Sequence, residues 1–338
     1  MMGRGPSADS PKPIPAEVMS AIVTLLFPFF GLILIGYGAG RFRLVGTEGL
    51  AGLNAFVFYF ALPVLFFQLV AATPIGAFAG WSFVLTTTFA TYCAFAVAFS
   101  IGALVNGGNV PQATVEGLIG SHGEIGTLAP ALTIVAFGAA AAAPTALVFT
   151  FDNAMLLAIT PLMMALGGSH STAPAKLAEE IGRGVFLHPL VIATVLGFVV
   201  AASGLAIPSW IDALLTTIRI AAPAAALFAF GVGLALRPIG KVPLEMPVLL
   251  AVKLIAHPLI VYLLLSWIGG FDQVWVHAAV LMAALPPATN VLGLAKRYGS
   301  YAERASTAVL LGAAMSVVTL TIAVILLVND VLPANPFR

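Results

Sequence analysis

Leu281 to Gly299 reads LMAALPPATNVLGLAKRYG, an apolar run that cannot stay helical through its own middle. Pro286 and Pro287 each lack a backbone N–H, and their rings clash with the preceding turn. Asn290 follows within one turn. In hydrocarbon every freed amide and carbonyl needs a partner, so an unwound polar stretch survives at bilayer depth only when buried in protein or lining a wet cavity. Secondary transporters hold substrates and ions at such discontinuous helices, with half-helix N-termini facing anions and stray carbonyls facing cations. A plain proline kink, with Asn290 bonded to a neighbouring helix, is the alternative.

The rest of the chain supplies the bilayer context. Hydrophobic residues make up 61% of it, charged residues 8%, and the mean hydropathy is +1.08, which is the composition of an integral membrane protein. Apolar runs of about 20 residues predict spanning helices, not the alternating strands of a barrel, so the expected class is all-α. A net charge of +1, with no basic patch interleaved with aromatics, points away from nucleic acid. Cys93 is the single cysteine and has no metal-ligating companion, so neither a disulfide nor a metal site is expected. Residues 1–18 are polar and proline-rich, which predicts a disordered tail. The apolar run after it is too long for a signal-peptide core, so it is expected to stay uncleaved.

Ten spans are expected. They cover about 19–40, 50–71, 81–105, 114–138 and 145–166, then 185–202, 210–236, 247–268, 281–299 and 302–328. The fourth carries GSHGEIGTLAPALTIVAFG, whose glycines and Pro130 make it the second broken span. Residues 167–184 form the longest polar connection and divide the chain into a first five-helix repeat, 19–166, and a second, 185–330. Five is odd, so two such units lie inverted in the membrane, and broken helices 4 and 9 meet near its midplane. Nine Lys and Arg flank one side of this arrangement (Arg41, Arg43, Lys176, Arg183, Arg237, Lys241, Lys296, Arg297 and Arg304) against Arg4, Lys12 and Arg338 on the other. That asymmetry places the 167–184 loop in the cytoplasm and both termini outside, across an inner or plasma membrane.

Polar residues inside the spans are the candidate site. Intramembrane acids are rare and usually functional, so Glu124 and Asp152 are candidate proton carriers, and a permanent ion pair is the bland alternative. His122 joins them because imidazole titrates near neutrality. Arg219 and Lys253 are candidate anion ligands or ion-pair partners, with Lys253 also able to reach the interface. His188, His257 and His277 read as interfacial. Gly123, Gly126, Thr127 and Pro130 from span four, Asn153 from span five, and Pro286, Pro287, Thr289 and Asn290 from span nine complete the expected crossover site. No enzyme is expected: the sequence has no H-E-x-x-H, no paired aspartates with diphosphate-binding spacing, no P-loop and no cysteine with a dedicated base.

Three segments in order resemble the auxin efflux carrier family in its bacterial form. LPPATNVLGLAKRYG is similar to that family's Met-Pro-Thr-x-x-Asn and Leu-Ala-Glu-Arg-Tyr-Gly pattern, FYFALPVLFF to its Phe-Tyr-x-x-Leu-Pro segment, and GEIGTLAPALTIVAFG to its glycine-rich run ending in Phe-Gly. Pro286, Asn290, Ala295, Arg297, Tyr298 and Gly299 match by position, and Gly123, Gly126 and Pro130 match less closely. Glu124 stands where the family has asparagine, Pro287 where it has threonine, and Lys296 where it has glutamate. The resemblance covers about 19–328 and implies the bile acid sodium symporter fold. It further implies a scaffold of helices 1, 2, 6 and 7, an elevator-like transport domain of helices 3–5 and 8–10, and a homodimer through the scaffold. The implied substrate is a small organic anion such as malonate or malate, moved by a secondary carrier with Na+ or H+ as coupling ion and no other cofactor. A sodium symporter of a larger amphipathic anion and a passive channel are the alternatives.

Overall fold

The computed structural model describes residues 16–74, 76, 80–168, 174–238, 240, 242–329, 331–334 and 336. Most of the expected tail, residues 169–173 of the expected linker, and Arg4, Lys12, Lys241 and Arg338 of the charge count lie outside the described residues. Among the described residues there are helices and no strand. The first half comprises α1 (Ala16–Arg41), α2 (Thr47–Phe56), α3 (Leu62–Ala71), α4 (Trp81–Val105), α5 (Val110–Ser121), α6 (Leu128–Phe137) and α7 (Ala142–Leu166). The second comprises α8 (Pro174–Phe186), α9 (Pro189–Ser203), α10 (Ser209–Ala235), α11 (Met246–Ala251), α12 (His257–Ile268), α13 (Gln273–Ala283), α14 (Thr289–Arg297) and α15 (Ala302–Val328).

Seven stretches are long and apolar enough to cross a bilayer, among them Thr47–Ala71, Met246–Ile268 and Ala302–Val328; this is a multi-pass membrane protein. Two of them contain a π-turn, Val57–Ala61 and Val252–Ala256. Each turn is followed by a proline, Pro63 or Pro258, whose missing N–H would have closed the ordinary turn, and the wider turn absorbs that loss. The apolar stretch Leu128–Leu166 is 39 residues long, yet it is not one rod. The hydroxyls of Thr133 and Thr145 are 2.8 Å apart, where twelve residues of continuous helix would separate them by about 18 Å. The chain therefore doubles back between α6 and α7, at Gly138, whose φ of 69° suits glycine. The expected polar linker is partly helical: α8 is amphipathic and meets α9 at a bend of 59°.

The helices sort into two packed groups. α1 lies along α10, and α3 lies against α9 and α10. Separately, α4 packs on α5 and α12, α12 on α13, α14 on α15, and α5 on α7 and α11. In the first group Gly36 and Gly231 let two backbones touch: a Cβ on Gly36 would lie 2.1 Å from the Phe228 carbonyl oxygen, and one on Gly231 would lie 2.0 Å from that of Ile33. Small residues at such contacts are how membrane helices gain packing without a hydrophobic drive between them. Outward faces are apolar, with Leu34, Leu85, Leu104, Leu214 and Trp267 all exposed, while Glu124, Asp152, Lys253 and His257 are buried inside. That is the reverse of a soluble domain.

Candidate functional site

Two interruptions of the helices hold each other. α5 ends at Ser121 and α6 begins at Leu128, while α13 ends at Ala283 and α14 begins at Thr289. Between these ends Gly123 and Pro287 form an antiparallel bridge. The Glu124 amide donates to the Pro286 carbonyl at 2.9 Å, and the Ala288 amide donates to the His122 carbonyl at 3.0 Å. Pro286 and Pro287 bring carbonyls and no donors, so each break answers backbone groups that the other leaves open.

Glu124 ties the crossing together. Its Oε1 accepts from the Thr127 hydroxyl at 2.8 Å and its Oε2 from the Thr289 amide at 2.6 Å. Thr289 opens α14, so a carboxylate from one break caps the helix that starts at the other, at its electropositive end. The Thr289 hydroxyl in turn accepts from Nη2 of Arg237 at 3.0 Å. The other terminal nitrogen, Nη1, is buried without a partner.

Beside this cluster lies a cavity of about 340 Å³, lined by Asn54 and Phe58 from α2 and its π-turn, by Glu124 and Thr127, by Arg237, and by Thr289, Asn290 and Lys296 of α14. A second cavity of about 530 Å³ shares Asn54, Phe58, Thr289, Asn290 and Lys296 with it and adds Asn153, His188 and Arg297. Asn153 is buried, and its side-chain N–H group lacks a partner, as does Nδ1 of His188. Three cations and one carboxylate line the two spaces, so the fixed charge is positive. Unpartnered buried donors beside it are costly unless something accepts from them. An anion with several acceptor oxygens fits that set.

Most of the expected crossover residues gather here. Glu124, Thr127, Thr289 and Asn290 line the first cavity and Asn153 the second, while Gly123, Pro286 and Pro287 form the bridge. Pro130 is buried in the first turn of α6, and Gly126 abuts Phe149. Asp152 and His122 sit behind the crossing. The Asp152 carboxylate accepts from Thr91, and its backbone carbonyl accepts from Nε2 of His122, whose Nδ1 faces Ser121.

Lys253 corrects the reading of an interfacial side chain. It is 0% exposed, 3.1 Å from Nδ1 of His257, and it donates to the Ala283 carbonyl where α13 ends. His257 and His277 are likewise buried and bonded, His277 to the Leu332 carbonyl. Arg219 lines neither cavity, and 16 residues of α10 put it about 24 Å from Ala235, two residues short of Arg237.

Sequence reasoning missed Asn54, used Arg237 only as a flanking charge, and used Lys296 as a flanking charge and as a departure from the family pattern. The available signal for Arg237 was its place directly after an apolar span and before Pro238, which also describes an ordinary flank. Among the described residues no group of three His, Cys, Asp or Glu could hold a metal ion.

Residues 21–324 match the family described as membrane transport protein. A protein of Rhizobium meliloti (strain 1021), described as "Putative malonate transporter", is 40% identical over 319 residues, which cover 94% of this chain and all of that relative.

Proposed function

The chain belongs to the membrane transport protein family, and from that premise we propose that it is a secondary active carrier of small organic carboxylates, malonate among them. The observation that carries this reading is the buried, unpartnered Nη1 of Arg237 in a cavity whose other polar lining includes Lys296 and Asn290. A guanidinium is always charged and offers paired donors that match a carboxylate. A volume of about 340 Å³ is at the small end of the range for ligand sites, as a compact acid requires.

The carrier has ten spans. α2 and α3 count as one, α11 and α12 as one, and the pairs α5–α6 and α13–α14 are broken spans four and nine. Two inverted units of five follow, and the fold-back at Gly138 supports the separation of spans four and five. Helices 1, 2, 6 and 7 form the scaffold, helices 3–5 and 8–10 the moving unit, and the two packed groups support that division. The cavity lies between Asn54 and Arg237 on the scaffold side and Glu124 and Asn290 on the moving side, where an elevator-like shift would carry the substrate. The relative's name supports malonate as the first ligand to test.

The test is ligand-induced thermal stabilisation of the purified protein with mono- and dicarboxylates, because a ligand that binds only the folded state raises its apparent stability. Malonate stabilises the wild type, and Arg237→Gln weakens its binding by at least about tenfold. Stabilisation by neutral or cationic compounds alone would remove the anion assignment. Flux that does not saturate and ignores gradients would favour a channel.

A further inference from the structure

We propose that Lys253 is a resident cation set between the two chain breaks, and that the coupling ion is a proton stored on the chain Lys253, His257, Thr91 and Asp152. This rests on the carrier reading above and names its ion.

The hydrogen bonds give the chain a direction. An ammonium has donors only, so Nδ1 of His257, 3.1 Å from Nζ, must accept. The imidazole proton then sits on Nε2 and points to the Thr91 hydroxyl at 3.3 Å. That hydroxyl faces both oxygens of Asp152 at 3.2 Å, with the Thr87 carbonyl at the same distance as the alternative acceptor for its one proton. A further ammonium proton goes to the Ala283 carbonyl, at the electronegative end of α13. Nζ lies close against the first break, since a Cβ on Gly123 would be 3.3 Å from it.

Shifting one proton along each of three bonds, Nζ to Nδ1, Nε2 to Oγ1 and Oγ1 to the carboxylate, converts ammonium and carboxylate into amine and carboxylic acid. No charge leaves the group. Uptake of one proton from water gives ammonium plus carboxylic acid, a single positive charge in an apolar interior, which is costly unless it is balanced. A carboxylate in the cavity on the other side of the crossing supplies that balance, so anion and proton load together, and by linkage each strengthens the other. A space of about 10 Å³ lined by Thr87, Thr91, Gly123, Asp152 and His257 is about one water probe in size and touches the acid end of the chain.

Other titratable groups around it are few. α5 brings Glu116, buried and bonded to Asn106, and His122, bonded to Ser121 and the Asp152 carbonyl, and Glu124 follows in the break. α4 brings Tyr92, which feels Asp152. α13 brings His277, six residues before Ala283 and bonded elsewhere. Glu245, which pairs with Arg304 of α15, lies eight residues before Lys253, about 12 Å along the helix.

The experiment uses the purified full chain in two arms. Without substrate, melting temperature is measured from pH 5 to 9 in sodium chloride and in choline chloride at equal ionic strength. The wild type is expected to ignore the choice of cation and to vary with pH, and that variation flattens in Asp152→Asn and in Lys253→Met. With malonate, calorimetry in buffers of different ionisation enthalpy is expected to register uptake of about one proton per anion in the wild type, and less in both variants, which control for malonate's own protonation. If either single variant fails to fold, the double variant Lys253→Met, Asp152→Asn removes both charges together and serves in its place. Sodium-specific stabilisation of the wild type, or wild-type pH dependence and proton uptake in the variants, overturns the inference. If malonate does not bind, the substrate reading fails and the substrate-free arm still decides the ion.

Discussion

At the scale of single residues, the proposed anion site is a contest between Arg237 and Glu124. The carboxylate caps α14 and lines the same cavity as the guanidinium, so it stabilises the empty crossing and repels an incoming acid. Glu124→Gln keeps an oxygen for one of the two hydrogen bonds and removes the charge; at the partial screening of such a site, malonate affinity is expected to rise at least about threefold. Calorimetry measures it, and a loss of affinity would mean that Glu124 helps to hold the ligand. Asn153→Ala removes an unpartnered buried donor and should leave stability unchanged or slightly raised while weakening malonate by about threefold to tenfold. Glu124, Asn290 and the two prolines were legible because polar or helix-breaking residues inside an apolar run announce themselves. Arg237 was not, because one residue past the end of a span it has the same sequence context as any flanking cation. Lys253 misled for a related reason: position along a helix says how deep a residue sits, but not that α4, α7 and α13 bring Thr91, Asp152 and the Ala283 carbonyl around it.

Helix ends fall near the helix-breaking residues that the sequence offers. The breaks follow from Pro286 and Pro287 and from the glycines around Glu124, and the separation of α6 from α7 follows from Gly138, even though hydropathy runs unbroken from Leu128 to Leu166. Contact between elements was not legible, since nothing local pairs Gly36 with Phe228 or Gly231 with Ile33. That pairing sets how closely α1 and α10 approach. Gly231→Val puts new atoms against backbone that cannot yield, and an expected loss of about 3 kcal/mol or more would appear as a clear fall in melting temperature in detergent; an unchanged melt would mean that the two helices are free to part. At the start of α15, Tyr301 adopts φ 59° and donates to Glu245 at 2.6 Å. Burial, and then the hydrogen bond to Glu245, push its phenol well above the usual range, so it remains a donor at any working pH. Tyr301→Phe leaves buried Glu245 with Glu116 and with Arg304 at 3.5 Å and should cost about 1–2 kcal/mol, read from the same melt.

For the whole molecule, the question is whether the two packed groups move past one another. They meet at apolar contacts such as Phe66 of α3 on Phe149 of α7, whose rings are 4.9 Å apart, and at the hydrogen bond from Arg237 to Thr289. Such surfaces can slide because few polar partners must be exchanged, whereas the bridge at Gly123 and Pro287 and the bonds of Lys253 lie within one group and would travel intact. A covalent tie between the groups should therefore separate binding from transport. In a Cys93→Ala background, Phe66→Cys with Phe149→Cys, joined by a short bifunctional thiol reagent, is expected to keep malonate-induced stabilisation and to lose nearly all uptake into proteoliposomes. Thr133→Cys with Thr145→Cys, whose native hydroxyls are 2.8 Å apart inside one group, is expected to tolerate the same treatment. Full uptake through the first bridged pair would mean that substrate crosses without relative motion of the groups, and would turn the reading towards a gated path along the cavities. Loss of uptake in both pairs would instead mean that the motion runs through the hairpin between α6 and α7.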